Sequence, residues 1–138
     1  MSTLTWQFID KLENDSSIYK LEKAINVKLP FDYVNCVKEN NAGFPSLKTF
    51  NTVQGTERVF SNLLSLNSDD DEDIFQSYQF ILDETDRKDI LPFARDSFGN
   101  YICFDFSDNS AKVVFWNHEN KTFDDVSNSF IELLNMLR

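Results

Sequence analysis

The chain has 138 residues, of which 41% are hydrophobic and 14% aromatic, so residues 1–138 are expected to form one domain with a real core. This composition excludes an intrinsically disordered chain. A formal net charge of −10 disfavours nucleic acids and anionic membranes as partners and favours a basic one. Residues 1–66 carry 7 basic and 7 acidic side chains and residues 67–138 carry 6 and 16, so the net charge lies in the second half.

The N-terminus and the cysteines indicate a compartment. The N-terminus lacks the basic and apolar regions of a signal peptide, and no stretch approaches the roughly 18 apolar residues of a membrane span. Cys36 and Cys103 lie in apolar patterns rather than in a framework of spaced pairs, which is typical of free, buried thiols in a reducing compartment. We expect a cytoplasmic protein that does not bind membranes.

Helical spacing of apolar residues dominates the first third of the chain. It predicts a helix over residues 4–13 and a second helix that ends at Asn26. A third helix is expected from Pro30, whose missing N–H suits the first helical position, and Gly43 can supply a left-handed residue at its end.

The middle of the chain changes character twice. Short β-like runs between residues 47 and 60 are broken by Gln54-Gly55, which predicts a hairpin turn. The acidic run of residues 69–73 then precedes apolar residues at helical spacing. Because carboxylates are favoured at the positive end of the helix dipole, a helix is expected to open at this run.

The last third predicts a meander and a closing helix. Strands are expected over residues 90–96, 100–106 and 112–116, and a helix capped by Ser127 or Asp125 follows them. This order indicates an α+β fold, a single domain in which helices cover one face of a largely antiparallel sheet. One core is expected to contain Phe104, Val114, Phe130 and Leu134.

Few residues suit catalysis. His118 is the single histidine and has no nucleophile motif nearby, so a structural or surface role is expected. The three glycines cannot form a phosphate-binding loop. Carboxylate pairs such as Asp83-Glu84 and Asp124-Asp125 have no neighbours that would tune an acid–base pair, so they are expected to cap helices. We therefore expect a protein that is not an enzyme.

Metal, cofactor and nucleic-acid sites are also not expected. In a calcium loop starting at Asp69, the sixth position, which needs Gly, is Ile74, and the twelfth, which needs Glu, is Phe80. The acidic run is therefore either a solvated helix start or a contact surface for a basic protein. Three aromatic residues could stack on nucleic-acid bases only if a basic groove lay beside them. We expect them instead in the core or at its rim: Phe98, Tyr101 and Trp116.

Several segments, in this order, resemble the motifs of one protein family. The family has a Leu-Glu helix, a Leu-Pro-x-x-Tyr helix, an Asn-Gly turn, paired strands and a closing helix. The corresponding residues here are Leu21-Glu22, Leu29-Pro30-Phe31-Asp32-Tyr33, Asn41-Ala42-Gly43, residues 90–96, 99–105 and 113–119, and residues 126–134. From about residue 18 onward the chain resembles the SUKH superfamily, although Ala42 stands where Gly is common.

The resemblance implies a fold and a class of function. Members of the superfamily include eukaryotic regulators of cell-wall assembly and bacterial immunity proteins that neutralise polymorphic toxins, often nucleases. A short chain with one domain resembles the bacterial type. The family implies no catalytic residues. The alternative is an interaction adaptor of the same fold whose partner is not a toxin.

The charge pattern and the resemblance together lead to one expectation. The protein binds its cognate toxin stoichiometrically, with an acidic surface that covers a basic substrate-binding site. A hydrolase that uses Asp or Glu is the least supported alternative. The residues expected to bind the partner are those of the acidic run and of the sheet rim: Asp69, Asp70, Asp71, Glu72, Asp73, Asp105, Trp116 and Glu119.

Overall fold

The computed structural model describes residues 4–68, 70 and 72–138, which form helices and mostly short strands. The elements are β1 (Trp6–Gln7), α1 (Ser16–Ile25), α2 (Phe31–Asn40), β2 (Phe44–Pro45), β3 (Thr49–Asn51), β4 (Glu57–Val59), β5 (Asn62–Leu63), α3 (Ile74–Thr85), β6 (Ile90–Arg95), β7 (Tyr101–Asp105), β8 (Lys112–Asn117), β9 (Thr122–Ser127) and α4 (Phe130–Met136).

The central sheet is an antiparallel meander in the order β5-β6-β7-β8-β9. Two small antiparallel pairs, β1 with β2 and β3 with β4, accompany it. The predicted α+β class is confirmed, as are the strands of the predicted meander, which correspond to β6, β7 and β8.

The register of β7 and β8 defines two ends of the sheet. Tyr101 pairs with Trp116 at one end, and Asp105 pairs with Lys112 at the other. Loops 96–100 and 118–121 lie at the first end, which we call the hairpin end. The four residue steps between the two pairs separate the ends by roughly 13 Å.

Four aromatic rings, from α2, β6, β7 and α4, form the centre of the core. Tyr33 is fully buried. Its ring centroid lies 5.2 Å from Phe104, 5.5 Å from Phe130 and 5.8 Å from Phe93, in edge-on contacts. Phe93 and Phe104 stack at 4.2 Å. Such contacts add to the burial of apolar area, so this cluster fixes α2 and α4 against one face of the sheet.

The other face of the sheet is covered as well. Ile81 of α3 packs there with Cys103, Val114 and Trp116, in a second apolar cluster. The expectation that helices cover one face is therefore wrong, and so is the placing of Val114 in the core of Phe104. Val113, not Val114, pairs with Phe104, and successive side chains of a strand point to opposite faces. Phe130 does share that core, with Leu134 partly buried against it.

The predicted helix over residues 4–13 does not form. Trp6 and Gln7 are instead β1, and Phe8 has a left-handed backbone with φ of 54°. Leu12 is buried, but Ile9 is 41% exposed, so the helical spacing does not mark one buried face. Pairing with Phe44 and Pro45, which are distant in sequence, overrides the local pattern.

The closing helix begins later than predicted. Ser129, not Ser127 or Asp125, is its cap, and the Ser129 hydroxyl accepts a hydrogen bond from the amide of Glu132 at 3.2 Å. Ser127 and Asp125 belong to β9, a strand missed in the sequence. Strand β9 is an outer strand and its side chains are mostly polar. Apolar and polar residues therefore do not alternate clearly along it, which is why the sequence pattern did not indicate a strand.

Other predicted boundaries are confirmed. The left-handed Asn26 ends α1, with φ of 57°, and Gly55, with φ of 94°, lies in the turn between β3 and β4. Helix α3 opens at the acidic run, where the carboxylate of Asp73 accepts a hydrogen bond from the amide of Gln76 at 2.8 Å.

The turn after α2 uses its small residues differently from the prediction. Ala42, not Gly43, is left-handed, with φ of 62°. Gly43 is needed for space, because a Cβ there would lie 2.8 Å from the carbonyl oxygen of Asn40 and 3.2 Å from the Trp6 ring. Ala42, which stands where the family often has Gly, is therefore the residue with the strained backbone conformation.

Truncation of Phe130 should destabilise the protein strongly. Its side chain is 1% exposed and contacts three aromatic rings. Phe130→Ala should lower the free energy of unfolding by about 3–5 kcal/mol, measured by urea denaturation. The neighbouring Ile131 is 49% exposed, so Ile131→Ala serves as the control and should cost much less. Equal losses in the two variants would contradict the docking of α4.

Relief of the strain at Ala42 should stabilise the protein. A left-handed conformation costs an L-residue about 1–2 kcal/mol and glycine almost nothing, so Ala42→Gly should raise the free energy of unfolding by about 1 kcal/mol. The matched control is Ala24→Gly in the exposed face of α1, which should lower it by about 1 kcal/mol. A loss of stability in Ala42→Gly would contradict the left-handed assignment.

Candidate functional site

Three of the residues predicted to bind a partner are buried. Trp116 is 0% exposed, and its ring packs edge-on against Phe80 at 5.9 Å. Asp73 is 3% exposed because it caps α3. Asp105 is 7% exposed and pairs with Arg87 at 3.3 Å. The prediction that these side chains present a surface to a partner does not agree with this burial.

The environment of Asp105 makes it a structural carboxylate. Burial alone would raise its pKa, but hydrogen bonds from Ser107 and the positive charges of Arg87 and Lys112 hold the pKa below the usual value. Asp105 and Glu119 also lie at opposite ends of the sheet, because Asp105 pairs with Lys112 and Glu119 follows β8 at the hairpin end. The predicted rim is therefore not one surface.

The other described residues of the prediction, Asp70, Glu72 and Glu119, lie near the hairpin end. Asp69 and Asp71 are outside the described residues. Glu72 is exposed and forms an ion pair with Arg95, the last residue of β6. Asp70 is partly buried, and one of its carboxylate oxygens accepts a hydrogen bond from the Ser65 hydroxyl at 2.5 Å.

Asp70 also interacts with the N-terminal segment. A hydrogen bond between the carboxyl groups of Asp10 and Asp70 raises the pKa of Asp10 and lowers that of Asp70. The proton is thus retained longer on Asp10, while Asp70 keeps its negative charge. This contact brings residues from the start of the chain to the acidic run.

Two buried amides hold that arrangement. The side-chain amide of Asn41 donates hydrogen bonds to the Asp10 carbonyl at 2.9 Å and to the Ser65 hydroxyl at 3.1 Å, and its oxygen accepts one from the Leu66 amide at 3.0 Å. Asn67 donates to the Lys11 carbonyl at 3.0 Å. Sequence reasoning missed both residues. The Asn-Gly turn motif, which includes Asn41, was the available signal.

An exposed aromatic ring lies beside these carboxylates. Phe8 is 79% exposed, and its ring contacts Phe44 edge-on at 5.7 Å. It borders a cavity of about 180 Å³, which we call the Phe8 cavity, together with Asp70, Glu72 and Arg95. Sequence reasoning missed Phe8 because it placed this residue within a helix.

A second exposed ring stands on the loop between β6 and β7. One oxygen of Asp96 accepts hydrogen bonds from the amides of Phe98 at 2.8 Å and Asn100 at 2.9 Å, and the other accepts from the Asn100 side chain at 2.8 Å. Gly99 supplies the left-handed turn, with φ of 92°. The loop is therefore well fixed, although it leaves Phe98 68% exposed.

His118 completes the support of that loop. The Asn100 side-chain oxygen accepts a hydrogen bond from the His118 amide at 2.9 Å and lies 2.7 Å from Nδ1 of its ring. This contact agrees with the expected structural role of His118. Phe98, His118 and Glu119 border a cavity of about 440 Å³, which we call the Phe98 cavity.

The two cavities are bordered by residues that are adjacent in sequence. Arg95 borders the Phe8 cavity, and the next residue, Asp96, borders the Phe98 cavity. Glu119 is exposed and forms no ion pair with any described residue. We define the hairpin-end surface as Phe8, Asp70, Glu72, Phe98 and Glu119. It combines exposed aromatic rings with carboxylates, which suits contact with a basic protein surface.

Both cysteines are free; burial raises the pKa of Cys36 to about 11 and that of Cys103 well above its usual value, which makes their thiols unreactive. Within residues 4–68, 70 and 72–138, no three His, Cys, Asp or Glu side chains are grouped to hold a metal ion. Across the same residues, no helix has the length and apolar character to cross a bilayer.

Comparison with known proteins identifies the fold family. The model of the SUKH_6 family, described as SMI1-KNR4 cell-wall, matches residues 15–134. A search of curated proteins found no match. The matched range extends from the start of α1 into α4 and includes the whole central sheet, the aromatic core and loop 96–100. The chain therefore belongs to the SUKH superfamily.

Proposed function

We propose that this protein is an immunity protein that binds its cognate toxin, a nuclease or another enzyme with a basic active-site surface, and blocks it by occupancy. The observation that carries this proposal is the hairpin-end surface, where Phe8 and Phe98 are held in solvent beside carboxylates. Aromatic side chains supply much of the binding energy of protein interfaces. Membership of the SUKH superfamily supports a binding protein rather than an enzyme.

Charge supports a basic partner. The net charge is −10, and the second half of the chain, which carries it, also contains Asp70, Glu72 and Glu119. A toxin that acts on nucleic acid needs a positive surface for its substrate, so opposite potentials would attract the two proteins. Binding at that surface would exclude the substrate without any chemical step, and it requires no cofactor. We place this binding in the cytoplasm.

A second candidate is an interaction adaptor that has no toxin partner. The description of the matching family names the cell wall, which favours this candidate. The genomic neighbourhood distinguishes the two. A gene beside this one that encodes a secreted protein with a toxic C-terminal domain supports immunity, and its absence supports the adaptor.

The purified protein should inhibit that toxin domain in a one-to-one complex. Because occupancy consumes one molecule of inhibitor for each toxin, enzymatic activity should fall linearly as protein is added and vanish near equimolar amounts. Titration of toxin activity and the mass of the complex by light scattering measure this. Inactivation at far lower ratios would indicate catalysis, and the absence of inhibition and of a complex would refute the proposal.

Reversal of the Glu119 charge should slow association. Glu119→Lys should lower the association rate constant about three- to tenfold at low salt, because steering acts on encounter. The difference should shrink at 0.5 M salt, where the Debye length is only about 4–5 Å. Stopped-flow fluorescence measures the rate.

The matched control is Asp108→Lys, the same charge change on an exposed residue of the turn at the opposite end of the sheet. It should have a clearly smaller effect. Adding Glu72→Lys to Glu119→Lys should slow association further. If Asp108→Lys and Glu119→Lys slow association equally, only the net charge matters and the hairpin-end surface is not where the toxin binds.

A further inference from the structure

We infer that Phe8 is the apolar anchor of the interface, and that it enters an apolar pocket of the toxin that is edged by Lys or Arg side chains. This inference rests on the proposed function and names one residue within it. Phe8 is 79% exposed, and the adjacent Ile9 is 41% exposed. The ring of Phe8 packs against one other aromatic ring among the described residues, that of Phe44.

Backbone strain is concentrated around this side chain. Among the described residues, the left-handed positions outside glycine, Asn and Asp are Phe8, Ala42, Glu72 and Lys121. The first three of these border the Phe8 cavity. Bulky residues adopt this conformation only where their surroundings hold them in it, and such strain often marks binding sites. Folding alone does not require an aromatic ring at position 8, since most of that ring is in water.

Hydrogen bonds on the C-terminal side of Phe8 fix the segment before any partner arrives. The Asp10 amide donates to the Asn41 carbonyl at 3.0 Å, and the Asn41 side chain donates back to the Asp10 carbonyl at 2.9 Å. Asn41 is completely buried. On the other side, β1 pairs with β2. An anchor that is already ordered loses little conformational entropy when it binds.

The charges around Phe8 specify the occupant. Asp70 and Glu72 border the cavity beside it, and Asp10 is close to Asp70. Arg95 neutralises part of this charge through its ion pair with Glu72. A second copy of this chain would bring the same carboxylates together and a further net charge of −10, which opposes self-association. A cationic partner with an apolar pocket satisfies both the ring and the carboxylates.

Phe8→Ala tests the anchor, with the C-terminal domain of the neighbouring toxin gene product as the probe. The dissociation constant should rise about 30-fold or more, as for a typical hot spot, and most of the change should be in the dissociation rate. The matched control is Phe31→Ala. Phe31 is also exposed, to 80%, but it lies at the start of α2. The other end of α2, where Asn41 contacts the segment of Phe8, is roughly 15 Å away. Substitution of Phe31 should change the constant less than threefold.

Phe8→Gly separates binding from folding. Glycine relieves the left-handed strain, so this variant should have a higher urea midpoint than Phe8→Ala, while its affinity for the toxin domain should be equally low.

If the wild-type protein binds the toxin domain and Phe8→Ala weakens binding less than threefold, the anchor is refuted and the proposed function stands. If the wild-type protein does not bind the toxin domain, both the proposed function and the anchor are refuted. Self-association in light scattering that Phe8→Ala abolishes would also overturn the inference.

Discussion

The buried amide of Asn41 links the three segments on which the Phe8 side of the hairpin-end surface depends. Its donors reach the Asp10 carbonyl and the Ser65 hydroxyl, and its oxygen accepts from Leu66. The N-terminal segment, the end of α2 and the segment before the acidic run are therefore fixed relative to one another. Loss of the amide would leave several buried polar groups without partners, which costs more than the net value of the hydrogen bonds themselves.

The position of Asn41 is itself a product of the core. It follows α2, and α2 is held on the sheet by the contacts of Tyr33 with Phe93, Phe104 and Phe130. The Tyr33 hydroxyl has no hydrogen-bond partner in the described structure, so its ring and not its polar group anchors the helix. Apolar packing thus places a polar residue, and the polar residue places the exposed segment that contains Phe8.

Periodicity predicted the parts of the fold that bury one continuous apolar face. Helices α1 to α3 belong to this class, and strands β6 to β8 were predicted from continuous apolar runs that are buried on both faces of the sheet. It did not predict β1, whose partner Pro45 is far away in sequence, or β9, whose polar side chains suit an outer strand. Composition predicted an acidic surface, and Trp116 was assigned to it. Trp116 is instead buried, because α3 covers the face of the sheet that was expected to be open. The roles of Asn41 and Asn67 depend on distant backbone groups, which no local pattern encodes.

The outer strand β9 has a consequence for the unbound protein. Asp124 and Asp125 lie on it, near Arg58 and Lys112 respectively, and the carbonyl of Asp125 accepts a hydrogen bond from the amide of Val53 at 2.8 Å. Charged side chains and a covering loop block the addition of another strand to a sheet edge, which is the first step of fibril growth. This edge of the sheet is therefore a poor template for strand pairing between copies of the chain.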